Sequence, residues 1–143
     1  MYMKVFPHGQ GSGAMPTEYL TRKDYPGRDD QPPEVLRGDP ELTALLIDSL
    51  DTKWKFTAGV LSWHPDDAIT PQQEQKVMDD FENLAFAGLD SDQRNILWVR
   101  HQHAGHHELH FVILHPHHDN TLILAGFPLP DWPAAQGATF LFY

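Results

Sequence analysis

The stretch His101-Gln-His-Ala-Gly-His-His-Glu-Leu-His110 decides how this chain is read, because eight of its ten histidines fall between His101 and His118 and two strand-like runs flank it. Asn95-Ile-Leu-Trp-Val-Arg-His101 precedes it and Glu108-Leu-His-Phe-Val-Ile-Leu114 follows, both rich in β-branched and aromatic residues. Between them Ala104-Gly105 offers a tight turn, since glycine adopts positive φ without steric cost. The segment therefore predicts a β-hairpin. Pairing His103 with His106 leaves a two-residue loop, sets His101 opposite Glu108, and puts His101, Glu108 and His110 on one face. An odd loop without a bulge would separate them. Leu109, Phe111 and Ile113 then form an apolar row on the other face, suited to packing against helices.

Two imidazoles and a carboxylate converging from a rigid hairpin make a partial coordination sphere, with positions left open for water or substrate. The plain alternative is a solvated, histidine-rich hairpin that binds metal adventitiously, and spacing alone weighs the two evenly. His115-Pro-His-His118 begins five residues beyond His110, roughly 16 Å away at ~3.3 Å per residue, too far to share an ion. It reads as a turn.

Length and charge bound the rest. A chain of 143 residues is most naturally one domain with a sizeable core. It has no cysteine, which excludes disulfides and thiolate chemistry and fits a reducing compartment. No basic-then-apolar leader opens the sequence and no apolar run approaches the ~20 residues of a bilayer span, so a cytoplasmic protein with no membrane partner is expected. The net charge of -10 is awkward for a nucleic-acid binder, which would need a local cationic patch or a bound divalent ion.

Taken in order, Tyr2-Met-Lys-Val-Phe6 predicts a first strand, followed by the Gly-rich loop Gly9-Gln-Gly-Ser-Gly13. That loop lacks the Gly-Lys-Ser/Thr ending of a nucleotide P-loop. Pro16 suits a first helical position, and Thr17 to Lys23 predict a short helix or turn carrying Tyr19, which on its own reads as a half-buried packing residue. Asp24 to Pro33 reads as an exposed loop. Asp39-Pro40 opens a helix with Leu42, Leu45, Leu46 and Leu50 as its core stripe, and Phe56 to Trp63 predicts a strand. Thr70-Pro-Gln-Gln73 supplies a capping box for a helix burying Val77, Phe81, Leu84 and Ala85, with Gly88 as its stop. Asp66, Asp67, Asp79, Asp80 and Glu82 read mostly as solvated charges. The order predicts an α+β domain, a mostly antiparallel sheet with helices gathered on one face.

Several motifs share an order and spacing with a known family. Met3-Lys-Val-Phe, Gly9-Gln-Gly-Ser-Gly-Ala, Tyr19-Leu, Leu36-Arg-Gly-Asp-Pro, Thr57-Ala-Gly-Val-Leu-Ser, Gly88-Leu-Asp and Leu97-Trp-Val-Arg-His101 together resemble plasmid mobilisation relaxases. The likeness is to the colicin-plasmid, MobA-like type within the HUH nickases, and it covers roughly residues 1 to 118. The resemblance implies an enzyme that nicks and rejoins one DNA strand at a plasmid transfer origin through a covalent 5′-phosphotyrosine. In this branch the metal motif is His, six residues, Glu, one residue, Asn. His101 and Glu108 match it, and His110 stands where the Asn would be, as in the three-histidine motif of the wider superfamily.

The same resemblance makes Tyr19 the nucleophile, with Tyr25 as fallback; by residue type His103, or else His106 or His107, is the candidate general base that accepts its proton. A divalent ion is implied, magnesium or manganese first, zinc or nickel compatible with the ligand types. Single-stranded DNA would be the partner, contacted by Lys4, Arg22, Lys23 and Arg100, with accessory mobilisation proteins beside it. Residues 1–118 are expected to form the relaxase-like catalytic domain and 119–143 a divergent tail packed on or trailing from it. The family's further tyrosine-, arginine- and aspartate-bearing segments are not recognisable in that tail, so a shortened form is expected. The competing expectation is a non-catalytic relaxase remnant or a His-rich metal-binding module.

Overall fold

The computed structural model describes residues 1–6, 9–24, 28, 31–51, 53, 55–87, 94–103, 105–114 and 139–141. The expectations for Tyr25, Gly88 and His115 to His118 lie outside these residues, as do nearly all of the tail and the side chain of His103. The elements are β1 (Tyr2–Val5), α1 (Ala14–Thr21), β2 (Glu34–Arg37), α2 (Pro40–Ser49), β3 (Phe56–Ser62), α3 (Pro71–Ala85), β4 (Ile96–His103), β5 (His106–Leu114) and β6 (Thr139–Leu141). The strands form one sheet in the order β2-β4-β5-β3-β1-β6, and every pairing is antiparallel.

The hairpin β4–β5 occupies the middle of this sheet and has the expected register. His101 faces Glu108, His103 faces His106, and Gly105 takes φ +77°, the left-handed conformation that the turn demands of it. Side-chain alternation sends Trp98, Leu109, Phe111 and Ile113 to one face, where they pack with Met78, Phe81 and Ala85 of α3. The rings of Phe81 and Phe111 lie 4.5 Å apart and those of Phe81 and Trp98 5.3 Å apart.

The α+β architecture matches the expectation, but the gathering of all helices on one face does not. Leu97, Val99, Val112 and Leu114 on the opposite face are buried against Leu20 of α1 and Ile47 of α2. Helices therefore cover both faces. The physical reason is in the strands themselves: Ile96-Leu-Trp-Val99 and Phe111-Val-Ile-Leu114 are unbroken apolar runs, which need partners on each side.

Helix starts follow the sequence closely. Asp39 caps α2 by accepting from the backbone N–H groups of Glu41 and Leu42, with Pro40 in the first turn. Thr70 and Gln73 form the reciprocal capping box of α3. The apolar stripes are rotated from those expected. Thr43 and Ile47 are the buried positions of α2 while Leu42 and Leu45 are exposed, and in α3 Met78 is buried where Leu84 is exposed. Helix α1 begins two residues before Pro16, the expected first position, its Gly13 lying against α2. A Cβ there would sit 2.4 Å from the Ala44 carbonyl oxygen, and the Gly13 N–H donates to Asp48 at 2.8 Å.

Candidate metal centre and nucleophile

On the α1/α2 face, at the end of the sheet nearest the β4–β5 turn, one potential ligand atom from each of His101, Glu108 and His110 lies within 4.8 Å of the others. The alternation of β5 places Glu108 and His110 on the same face, and cross-strand pairing adds His101. His110 Nε2 donates to a Glu108 carboxylate oxygen at 2.9 Å, and the His101 and His110 rings stand 4.3 Å apart. His101 is buried, and its Nε2 bonds the Leu20 carbonyl oxygen. Burial and the adjacent His110, with a smaller push from Arg28, lower the His101 imidazole to about 4, against the pull of the Leu20 carbonyl and Glu108. His101 is thus neutral near pH 7, the form that can bind a cation.

The three side chains fit a divalent ion. With bonds of about 2.1 Å, two donors on one ion sit about 3–4.2 Å apart, so small side-chain shifts close the cluster. Imidazole and carboxylate together accept magnesium, manganese, zinc or nickel, and the set does not discriminate among them.

Tyr19 sits on the last turn of α1, about half exposed. It lines a cleft of about 560 Å³ between α1 with its Gly-rich lead-in and strands β3 and β5. Phe6, Met15 and Phe56 form apolar walls, Gln10 and Ser12 add polar groups, and His110 reaches the same cleft. Tyr19 and one member of the candidate ligand cluster, His110, therefore line one cleft.

Other sequence-selected residues divide by face. Lys4 stands in one cross-strand row with Val60 and His110, and its ammonium lies 5.6 Å from the Phe6 ring centre, beside the cleft. Arg22 pairs with Asp24, whose carboxyl it holds below the usual range, and Lys23 is exposed nearby. Arg100 points to the α3 face, where Glu34 and Glu74 bind its guanidinium. His107 lies on that face too, bonded to Glu74 at 2.7 Å. His106, and by register the backbone of His103, belong to the same face as the ligand cluster.

Two residues at these places were not selected from sequence. Glu74 is buried at a helical spacing shared with Met78, Phe81 and Ala85, so a carboxylate on an apolar stripe was the available signal. Arg28 is buried under Tyr19, and nothing in its loop distinguished it from the charges around it.

Comparison with known proteins adds the class to this geometry. Over 113 residues, 79% of the chain, it is 48% identical to "Cryptic plasmid protein C" of Neisseria gonorrhoeae and 39% identical to "DNA relaxase MbeA" of Escherichia coli. The matched part of the chain thus resembles the plasmid mobilisation relaxases. The alignment spans 53% of the first relative's length and 21% of the second's. No family model matches the chain, and no solved structure does. Among the described residues no helix is long and apolar enough to cross a membrane.

Proposed function

We propose that this chain nicks one DNA strand at a plasmid transfer origin and rejoins it, with Tyr19 as nucleophile and His101, Glu108 and His110 as ligands of one divalent ion. The observation that carries this reading is the single cleft lined by both Tyr19 and His110, the latter belonging to the ligand cluster. The likeness to a protein named as a DNA relaxase supports the substrate class. When bound, the ion supplies positive charge to a non-bridging phosphate oxygen and orients the ester.

The chain's own groups do the rest. The Tyr19 hydroxyl oxygen bonds to phosphorus as the bond to the 3′ oxygen breaks. The phenol proton passes to a base and the departing 3′ oxygen takes up a proton as a hydroxyl. His106, whose strand position shares the ligand face, and His103, named from sequence, are the candidate acceptors, whereas His107 is held by Glu74 on the far face. The product keeps an ester linkage between Tyr19 and the 5′ phosphate, so attack by the 3′ hydroxyl reseals the strand without ATP. The flat apolar walls Phe6, Met15 and Phe56 suit an unstacked base and favour single-stranded DNA.

Incubating the protein with single-stranded DNA spanning its plasmid's transfer origin and manganese, followed by digestion and peptide mass measurement, tests the reading. An adduct on Tyr19 that disappears in Tyr19→Phe is the expected result. An adduct on Tyr25 would keep the enzyme class and move the nucleophile. No adduct with any divalent ion, from protein shown to be folded, overturns the reading.

A further inference from the structure

The last carbonyls of an α-helix have no N–H partner within the helix, and α1 has no basic side chain in its last turn to supply one. Partners come from elsewhere in the fold. Arg28 Nη1 donates to the carbonyl of Tyr19 at 2.7 Å and to that of Arg22 at 2.9 Å. The same guanidinium lies across the Tyr19 ring, its central carbon 5.2 Å from the ring centre. Arg28 is only 4% exposed, and withdrawing a cation from water is costly unless hydrogen bonds and an aromatic face take over its solvation. The ring contact and the shorter of the two hydrogen bonds fall on Tyr19.

We infer that Arg28 is a positioning residue for the nucleophile, gripping Tyr19 at its carbonyl and at its ring so that the phenol is held toward the cleft in one orientation. The inference rests on the role proposed for Tyr19. A tyrosine half in solvent on the final turn of an eight-residue helix would otherwise sample several side-chain rotamers. Arginine is suited to the task because one nitrogen can bridge two carbonyls while the planar group covers a ring. Lysine can do only the first.

That difference supplies the test, made with Arg28→Lys and Arg28→Gln in the full chain. In single-turnover nicking, both variants are expected to form the Tyr19 adduct about 10–100-fold more slowly, the scale of a nucleophile displaced by about 1 Å. The apparent affinities for single-stranded DNA and manganese should stay within about twofold of the parent, since Arg28 supplies neither. Arg28→Lys should recover the parent's melting temperature more fully than Arg28→Gln but not its rate. A rate in either variant equal to the parent's would overturn the inference, as would a loss that follows melting temperature alone.

A second readout needs no turnover. In protein carrying ring-¹³C tyrosine, with the Tyr19 signal assigned through Tyr19→Phe, both Arg28 variants should shift or broaden that signal. An unchanged signal in both overturns the inference even if the parent forms no adduct, a result that would separately overturn the proposed function.

Discussion

The Nε2–H of His101 donates to the backbone carbonyl of Leu20 across 2.8 Å, joining a candidate metal ligand on β4 to the residue after Tyr19 on α1. A carbonyl oxygen only accepts, so Nε2 carries the hydrogen and Nδ1 keeps the lone pair. Ligand histidines commonly donate their second ring nitrogen to a fixed oxygen, which sets both tautomer and ring orientation. Leu20 occupies that place here.

Metal titration follows from this arrangement. Calorimetry with manganese should show one ion per chain, and His110→Ala should weaken it at least about tenfold, a scale comparable to losing a ligand's support. With the ion bound, the His101 Nε2–H resonance should persist while Nδ1 shifts. Equal stoichiometry and affinity in the parent and in His110→Ala would assign the binding to scattered histidines instead.

Stability should depend on pH through His101. Burial, then His110, lowers its folded value from 6.5 to about 4, so between these values the unfolded chain binds more protons than the native one. The resulting stability is fully present above about pH 6.5 and is lost as pH falls toward about 4. Urea midpoints measured with chelator from pH 7 to 4.5 should fall more steeply in the parent than in His101→Gln. A parent that gains stability on acidification through this window contradicts the assignment.

The α3 face offers a control for the site. Glu74 accepts from Arg100 at 2.8 Å and from His107 at 2.7 Å while almost wholly buried. Glu74→Ala should cost about 2–3 kcal/mol, somewhat less than the ~3–5 of a fully buried pair because Arg100 keeps Glu34 and some water. Denaturant titration reads the loss. Manganese affinity should be unchanged, and a large fall in it would mean that the two faces are coupled.

Two cations with the same sequence-based expectation should separate on DNA. Lys4→Gln should weaken single-strand binding and lower the slope of log affinity against log salt by about 0.7, the share of one phosphate contact. Arg100→Gln should leave that slope unchanged, because its partners are carboxylates on the other side of the sheet. Equal effects measured by fluorescence anisotropy would place the DNA elsewhere.

The parts legible in the sequence are those governed by local geometry. The two-residue turn at Gly105 set the pairing of His101 with Glu108, and Asp39 and Thr70 announced their helices. What stayed hidden depends on contacts across distant segments. Whether Leu42 or Ile47 faces inward is decided by the strand surface that α2 meets, and both fit an apolar period. β2 is a four-residue edge strand, Glu-Val-Leu-Arg, with no alternation to read, and Pro32-Pro33 before it suggested only a loop. Arg28 follows neither periodicity nor motif. Its meaning comes from the ring it covers.

Helix α1 is fastened at both ends, to Asp48 and the Ala44 backbone through Gly13 and to His101 and Arg28 through its final carbonyls. Under the role proposed for Tyr19, a crossbar held this way separates the nucleophile's placement from the makeup of the cleft wall. Met15, exposed on the cleft side, and Gln10 in the loop before the helix belong to the wall without taking part in either fastening, whereas Ser12 Oγ accepts from the Ala14 N–H at 3.2 Å. On the proposed function, exchange of Met15 and Gln10 changes the preferred origin sequence while the phenol stays where it is.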